Sequence, residues 1–273
     1  MEKKLIFLDI DGTLVDEKEK VAETAIYACQ QARKNGHKIY LCTGRSKPEI
    51  FPHILAIGFD GIIGAGGGYI ESDGKVLYHK KVSKQQVQHM VDYFNQQQID
   101  FYLESNGGLF ASHNLRPRLE LLFYGQEGVK GESHPFMEAL IFGEKNLYRD
   151  DVNKVCFLEN PAIDFKKIKQ EFDGEFEVIQ CTVPAFGKNS GEMMVPGIHK
   201  ATAIDFLLKH LKHPQNQTLA IGDGLNDLEM FAYCDIGIAV GTAHQELKAR
   251  ADFVTTAPSE DGLLHAFESY HLI

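Results

Sequence analysis

The chain has 273 residues, with 28 Lys+Arg against 38 Asp+Glu and a formal charge of −10 at neutral pH. Its 44% hydrophobic and 24% charged residues exclude a disordered or fibrous chain and leave room for one large domain or two modest ones. The acidic balance argues against a nonspecific nucleic-acid binder, and no run of about 18 apolar residues suggests a membrane helix.

Leu5-Ile6-Phe7-Leu8 is a continuous apolar run ending at Asp9, the pattern of a buried strand. Helical spacing follows from about Val21 to Asn35, with Val21, Ala25, Ala28 and Ala32 on one face and Gly36 as a stop. Lys38–Cys42 predicts a second strand, Pro48 a helix start, and Gly61-Ile62-Ile63 a third strand. Such alternation is that of a parallel α/β sheet.

Past Val82 the alternation is lost. Ser83 is placed to cap a helix through Gln97, with Val87, Met90, Val91 and Phe94 as its apolar face. Strand-like runs are Ile99–Glu104, Leu109–Ser112, Val155–Leu158, Phe176–Thr182 and Glu192–Val195. Helical stretches are Leu115–Phe123 and Asp164–Phe172, with a Gly- and Glu-rich loop between them. From about His199, strict alternation returns: helix, strand Thr218–Ile221, helix Leu225–Tyr233, strand Ile236–Ala239, helix His244–Arg250, Phe253-Val254 and a last helix over Glu260–Ser269. The economical reading is an α/β core built from 1–81 and 187–273, with an α+β module, 82–186, inserted between polar joints.

Asp9-Ile10-Asp11-Gly12-Thr13 carries the strongest signal. Four specified positions match by chance at roughly 10⁻⁵ per site. Taken alone, the motif also suits a turn. But two carboxylates at a strand end repel each other unless a cation or proton intervenes, and ligands of open α/β sheets bind at that edge. Gly222-Asp223-Gly224-Leu225-Asn226-Asp227 repeats the arrangement after another buried strand, where helix capping is the competing reading. Together Asp9, Asp11, Asp223 and Asp227 form an oxygen-only ligand set that favours Mg²⁺. Thr43 and Lys200, each unremarkable alone, would add the hydroxyl, N–H and cationic partners that a phosphate needs. The five widely spaced cysteines contain no C-x-x-C pair, so neither a zinc ribbon nor a disulfide framework is expected. A cytoplasmic location is the expectation, the N-terminal apolar run being too short and too acidic for a secretory signal. The 12 histidines show no H-E-x-x-H spacing, and none is assigned to a metal.

These motifs resemble those of the haloacid-dehalogenase (HAD) superfamily, most closely its Cof-type phosphatases with an inserted α+β cap. Asp9–Val15 is similar to the first motif, Thr43-Gly44-Arg45 to the second, Lys200 to the third and Gly222–Met230 to the fourth, in family order across nearly the whole chain. The resemblance implies a Rossmann-like core and a Mg²⁺-dependent phosphatase of small phosphorylated metabolites, sugar phosphates above all. It implies Asp9 as the nucleophile that forms an aspartyl-phosphate and Asp11 as acid and base, its pKa raised by neighbouring carboxylates and partial burial. Asp9, Asp11 (through its carbonyl), Asp223 and Asp227 would hold or flank the metal. Thr43, Gly44, Lys200 and Asn226 would hold phosphate oxygens, and the cap would close over the site. A monomer or weak homo-oligomer with no nucleic-acid or membrane partner is expected. Two positions depart from the family pattern: Gly66 stands where many relatives have Asn, and Ala201 where glycine is usual. The same chemistry would serve a phosphomutase, and Asp, Thr and Lys at strand ends also suit a phospho-accepting signalling protein.

Overall fold

The computed structural model describes residues 2–125, 134–181 and 183–273. It divides into two compact units, one of 1–45, 52–79 and 198–273, the other of 46–51 and 80–197.

The first unit begins with β1 (Leu5–Leu8), every residue of which is buried. The helix Glu23–Lys34 follows, burying Ala25, Ala28, Cys29 and Ala32 at helical spacing. Then come β2 (Lys38–Cys42), β3 (Gly61–Gly64), β4 (Tyr69–Ser72) and β5 (Lys75–His79). Asp73 and Gly74 both have positive φ, the two-residue turn that joins β4 to β5.

The second unit holds β6 (Phe101–Ser105), β7 (Gly108–Ala111), β8 (Leu140–Phe142), β9 (Val152–Phe157), β10 (Glu177–Gln180) and β11 (Gly191–Met194). They form one sheet in the order β10-β11-β9-β6-β7-β8, antiparallel except for β7 with β8. One face packs Phe101, Leu103, Val155, Phe157 and Met193 against the helices Lys84–Gln96 and Phe165–Glu171. Phe94 is fully buried there among Phe101, Phe157 and Phe172, ring centroids 5.3–5.8 Å away. Truncating a ring so placed costs about 3–5 kcal/mol. Ser83 Oγ caps its helix by accepting the Gln86 N–H, and Gln86 Oε1 in turn accepts the Ser83 N–H. The other face packs Tyr102, Leu109, Ala111 and Cys156 with Leu115 and Leu119 of the helix Leu115–Tyr124. Tyr102 and Phe186 are core residues of this unit.

The chain then returns to the first unit through the helix Lys200–Leu211, β12 (Thr218–Gly222), β13 (Ile236–Ala239), β14 (Phe253–Val254) and the helix Gly262–Ser269. Its sheet runs β14-β13-β12-β1-β2-β3-β4-β5, parallel through β3 and antiparallel beyond. β1 lies at the centre, between β12 and β2. Parallel strands covered on both faces are apolar throughout, which is why the run Leu5–Leu8 does not alternate.

Three features differ from the sequence expectation. β4, β5 and β8 stand where no strand was expected. β11 pairs with β9 and β10, so Gly191–Met194 belongs to the inserted sheet and not to the core segment that was drawn from 187. Residues 46–51 also fall with the inserted unit. The Gly- and Glu-rich stretch after Tyr124, and Thr182, lie outside the described residues. No helix among the described residues is long and apolar enough to cross a membrane.

Candidate active site

The ends of β1 and β12 are tied together, since the Asp9 N–H donates to the Ile221 carbonyl at 3.0 Å. Beyond β1, the Ile10 carbonyl accepts N–H groups from Thr13, Leu14 and Val15 at 2.9–3.3 Å. Gly12 makes this reversal possible at φ +68°, and any Cβ there would collide with the Asp223 carboxylate. The residue types on both loops therefore bring the Asp223 carboxylate against Gly12.

Asp9, Asp223 and Asp227 each offer a carboxylate oxygen within 4.8 Å of the others. Lys200 opens its helix in the middle of this group, donating to Asp9 Oδ1 at 2.7 Å and to Asp227 Oδ1 at 2.6 Å. The lysine is 2% exposed, Asp9 4% and Asp227 0%. A charge that deep needs partners, and the two aspartates supply them. Asp227 is further committed through Oδ2, which accepts the Asp223 and Gly224 N–H groups at 3.1 Å. Its carboxylate accepts from the lysine and two amides, which makes it a fixed support for Lys200.

Burial pushes the Asp9 carboxyl well above the ordinary carboxylate range. Lys200 pulls the other way, and Asp227 and Asp11 push with the burial. Asp223 is pushed up to about 6 by burial and then by Asp227, against Lys200. Lys200 is held above the usual lysine range: burial opposes its charge, but Asp227 and Asp9 outweigh it. Two oxygen donors that resist ionisation side by side are what a hard divalent cation would relieve, so Asp9 and Asp223 fit Mg²⁺.

Asp11 does not join this group. Its side chain is 60% exposed and pairs with Arg45, so the expected partial burial is absent. The Thr43 hydroxyl, fully buried, accepts the Arg45 N–H at 3.1 Å, which leaves its own hydrogen to donate. Gly44 has no neighbour within 4 Å of a notional Cβ, and Asn226 is exposed, its amide oxygen folded against Gly224. The Gly64–Gly68 run makes a close backbone approach: a Cβ on Gly67 would come 2.6 Å from the His199 carbonyl, just before Lys200. Gly66 itself lies at φ +64° in open space. Sequence reasoning overlooked Cys42, a buried thiol beside Lys200, Asp227 and Asp9. It also missed Glu19, which meets Arg45. The lone hint for Glu19 was the turn-forming Asp16 three residues earlier.

The profile of the haloacid dehalogenase-like hydrolases matches residues 6–267. The chain is 25% identical to YkrA of Bacillus subtilis, over the full length of both. It is 25% identical to YwtE of the same organism, named a 5-amino-6-(5-phospho-D-ribitylamino)uracil phosphatase, over 96% of each chain. Among solved structures, the HAD subclass IIB sugar phosphatase BT4131 superposes with a TM-score of 0.77 at 23% identity, covering 99% of this chain and 100% of that one.

Proposed function

The chain belongs to the haloacid dehalogenase-like hydrolases and is a phosphatase, and from that premise we propose a Mg²⁺-dependent enzyme that hydrolyses small phosphate monoesters through an aspartyl-phosphate. Asp9, a buried carboxylate at the end of the central strand and already paired with Lys200, carries this reading. Its free oxygen attacks phosphorus, the P–O bond to the alcohol breaks, and the leaving oxygen takes a proton from Asp11. Water then attacks the acyl phosphate and gives its proton back to Asp11, freeing phosphate and Asp9. Lys200 keeps Asp9 oriented and offsets charge on the phosphoryl oxygens. The Thr43 hydroxyl, the Gly44 N–H and the Asn226 amide donate to those oxygens.

Asp9, Asp223 and the Asp11 carbonyl would hold Mg²⁺, with Asp227 fixed behind them. The ion supplies charge neutralisation between a carboxylate and an anionic ester. Sugar phosphates and the phosphorylated ribityl chain that YwtE's name describes are the substrate classes we favour, polyol monoesters in both cases.

A phosphate-release screen over a metabolite panel, with Asp9→Asn as the blank, tests this reading. Chelation of divalent metal should stop activity and Mg²⁺ should restore it. Full activity in metal-free buffer would sink the metal assignment.

A further inference from the structure

The loop after β1 contains a second device, which the catalytic roles above do not use. The Asp16 carboxylate accepts the Lys18 and Lys20 N–H groups at 2.8 and 2.9 Å. This closes a tight turn in which Glu19 takes a left-handed φ of 58°. The turn delivers Glu19 to Arg45, whose Nη2 donates to Glu19 Oε1 at 2.9 Å. On its other side the same guanidinium grips Asp11, with Nε to Oδ2 at 3.0 Å and Nη2 to Oδ1 at 2.6 Å. The arginine side chain is only 10% exposed, whereas Asp11 is 60% exposed.

An exposed carboxylate ordinarily samples several rotamers, and ordering it costs entropy. A buried planar fork that is itself held by a second carboxylate removes that freedom, because two parallel N–H···O bonds fix orientation as well as distance. We infer that Arg45, braced by Glu19, is a positioning residue that aims the Asp11 carboxyl at the leaving-group oxygen. The inference rests on the phosphatase reading above and extends it to two residues outside the carboxylate group. A lysine at 45 would keep the charge and lose the fork. A glutamine at 19 would keep the contact and lose the charge.

Leaving-group dependence tests it. The p-nitrophenolate ion departs without a proton, whereas the alkoxide of glucose 6-phosphate needs one. kcat/KM reports the steps up to leaving-group release, so it reads proton donation apart from breakdown of the phosphoenzyme. Arg45→Ala should lower kcat/KM for glucose 6-phosphate by roughly 30–100-fold and for p-nitrophenyl phosphate by less than about 5-fold, a share of the usual contribution of a general acid. Arg45→Lys should restore part of the alkyl activity. Glu19→Gln should cost about 3–10-fold on the alkyl ester alone. Thermal unfolding of each variant checks the fold. Equal losses on both esters, or a change confined to KM, would overturn the inference. Asp9→Asn, inactive on both esters where the wild type hydrolyses both, keeps the phosphatase reading separate. An unchanged alkyl-to-aryl ratio then counts against Arg45 alone.

Discussion

Each unit buries a lysine between two carboxylates, and the two triads are built differently. In the first unit Lys200 reaches Asp9 at 2.7 Å and Asp227 at 2.6 Å. In the second, Lys154 reaches Glu192 at 2.8 Å and Glu104 at 3.4 Å. The inserted triad is made within a sheet. Glu104 stands directly across from Lys154 on the neighbouring strand, and Glu192 pairs with Cys156 one step diagonally. The core triad is made at strand ends, by loops and a helix start whose backbone N–H groups also point inward. Glu104 is pushed up by burial and then by Glu49, much as Asp9 is pushed up by burial. Similar charge composition therefore does not identify a catalytic site. Strand ends bring a carboxylate oxygen and backbone donors together at a loop, whereas the cross-strand triad has only its side chains and leaves Glu104 Oε2 buried without a hydrogen-bond partner.

The sharpest way to break this contrast is Asp9→Asn. Turnover should fall by at least about 10⁴-fold with the fold retained, since removing a covalent nucleophile can cost as much as about 10⁶-fold. Steady-state phosphate release with circular dichroism checks it, and near wild-type turnover would end the nucleophile assignment. Lys154→Met should act on stability instead. Removing one member of a buried ion pair costs about 3–5 kcal/mol, and denaturant unfolding should show most of that, with Glu104→Gln recovering part. A purely kinetic phenotype in Lys154→Met would erase the distinction between the triads.

Gly12→Ala should be milder, about 1–3 kcal/mol, because a left-handed residue gains a Cβ facing Asp223. Mg²⁺ affinity, read by titration calorimetry, should fall with it. The smallest effect concerns Asp223, whose folded carboxyl is pushed up to about 6 against an ordinary 3.8. The folded state thus binds this proton more tightly than the unfolded chain. The group costs nothing below about pH 4, and its cost is complete above about pH 6. Asp223→Asn should therefore stabilise the metal-free protein at pH 7 by about 1–2 kcal/mol once solvent screening at this half-buried carboxyl is allowed for. The gain should vanish near pH 4. Calorimetry in chelator at both pH values decides it, and a lower Tm at pH 7 would refute the cause given for the shift.

Local pattern made much of this molecule legible. Apolar runs that end in Asp placed Asp9 and Asp223 at strand ends, and the parallel register of β1 with β12 makes those ends adjacent. Lys200 followed from its position at the start of a helix. Asp11 was legible in the same motif, but its pairing with Arg45 was not, because Arg45 lies on another loop and nothing in their spacing brings them together. Glu19 depends on a turn closed by Asp16, a contact between side chain and backbone that periodicity does not report. β4 and β5 were missed although Asp73-Gly74 is a strong hairpin signal. β5 is an edge strand with largely solvated side chains, so its hydrophobic pattern is weak. β8 is too short to show any period.

The central position of β1 has a consequence during synthesis. The second unit comes largely from one continuous stretch, 80–197, and can complete its sheet as it emerges. β1 is made first, yet its neighbour β12 follows only after the chain between Leu8 and Thr218 has been translated, roughly 10–40 s at about 5–20 residues per second. Throughout that interval the nascent chain carries an apolar strand with one sheet edge unfilled, and Asp9 waits for Lys200 and Asp227. A stalled ribosome therefore holds a finished insertion beside an unfinished catalytic sheet. The group of buried carboxylates around Asp9 is completed only by residues from Lys200 onward.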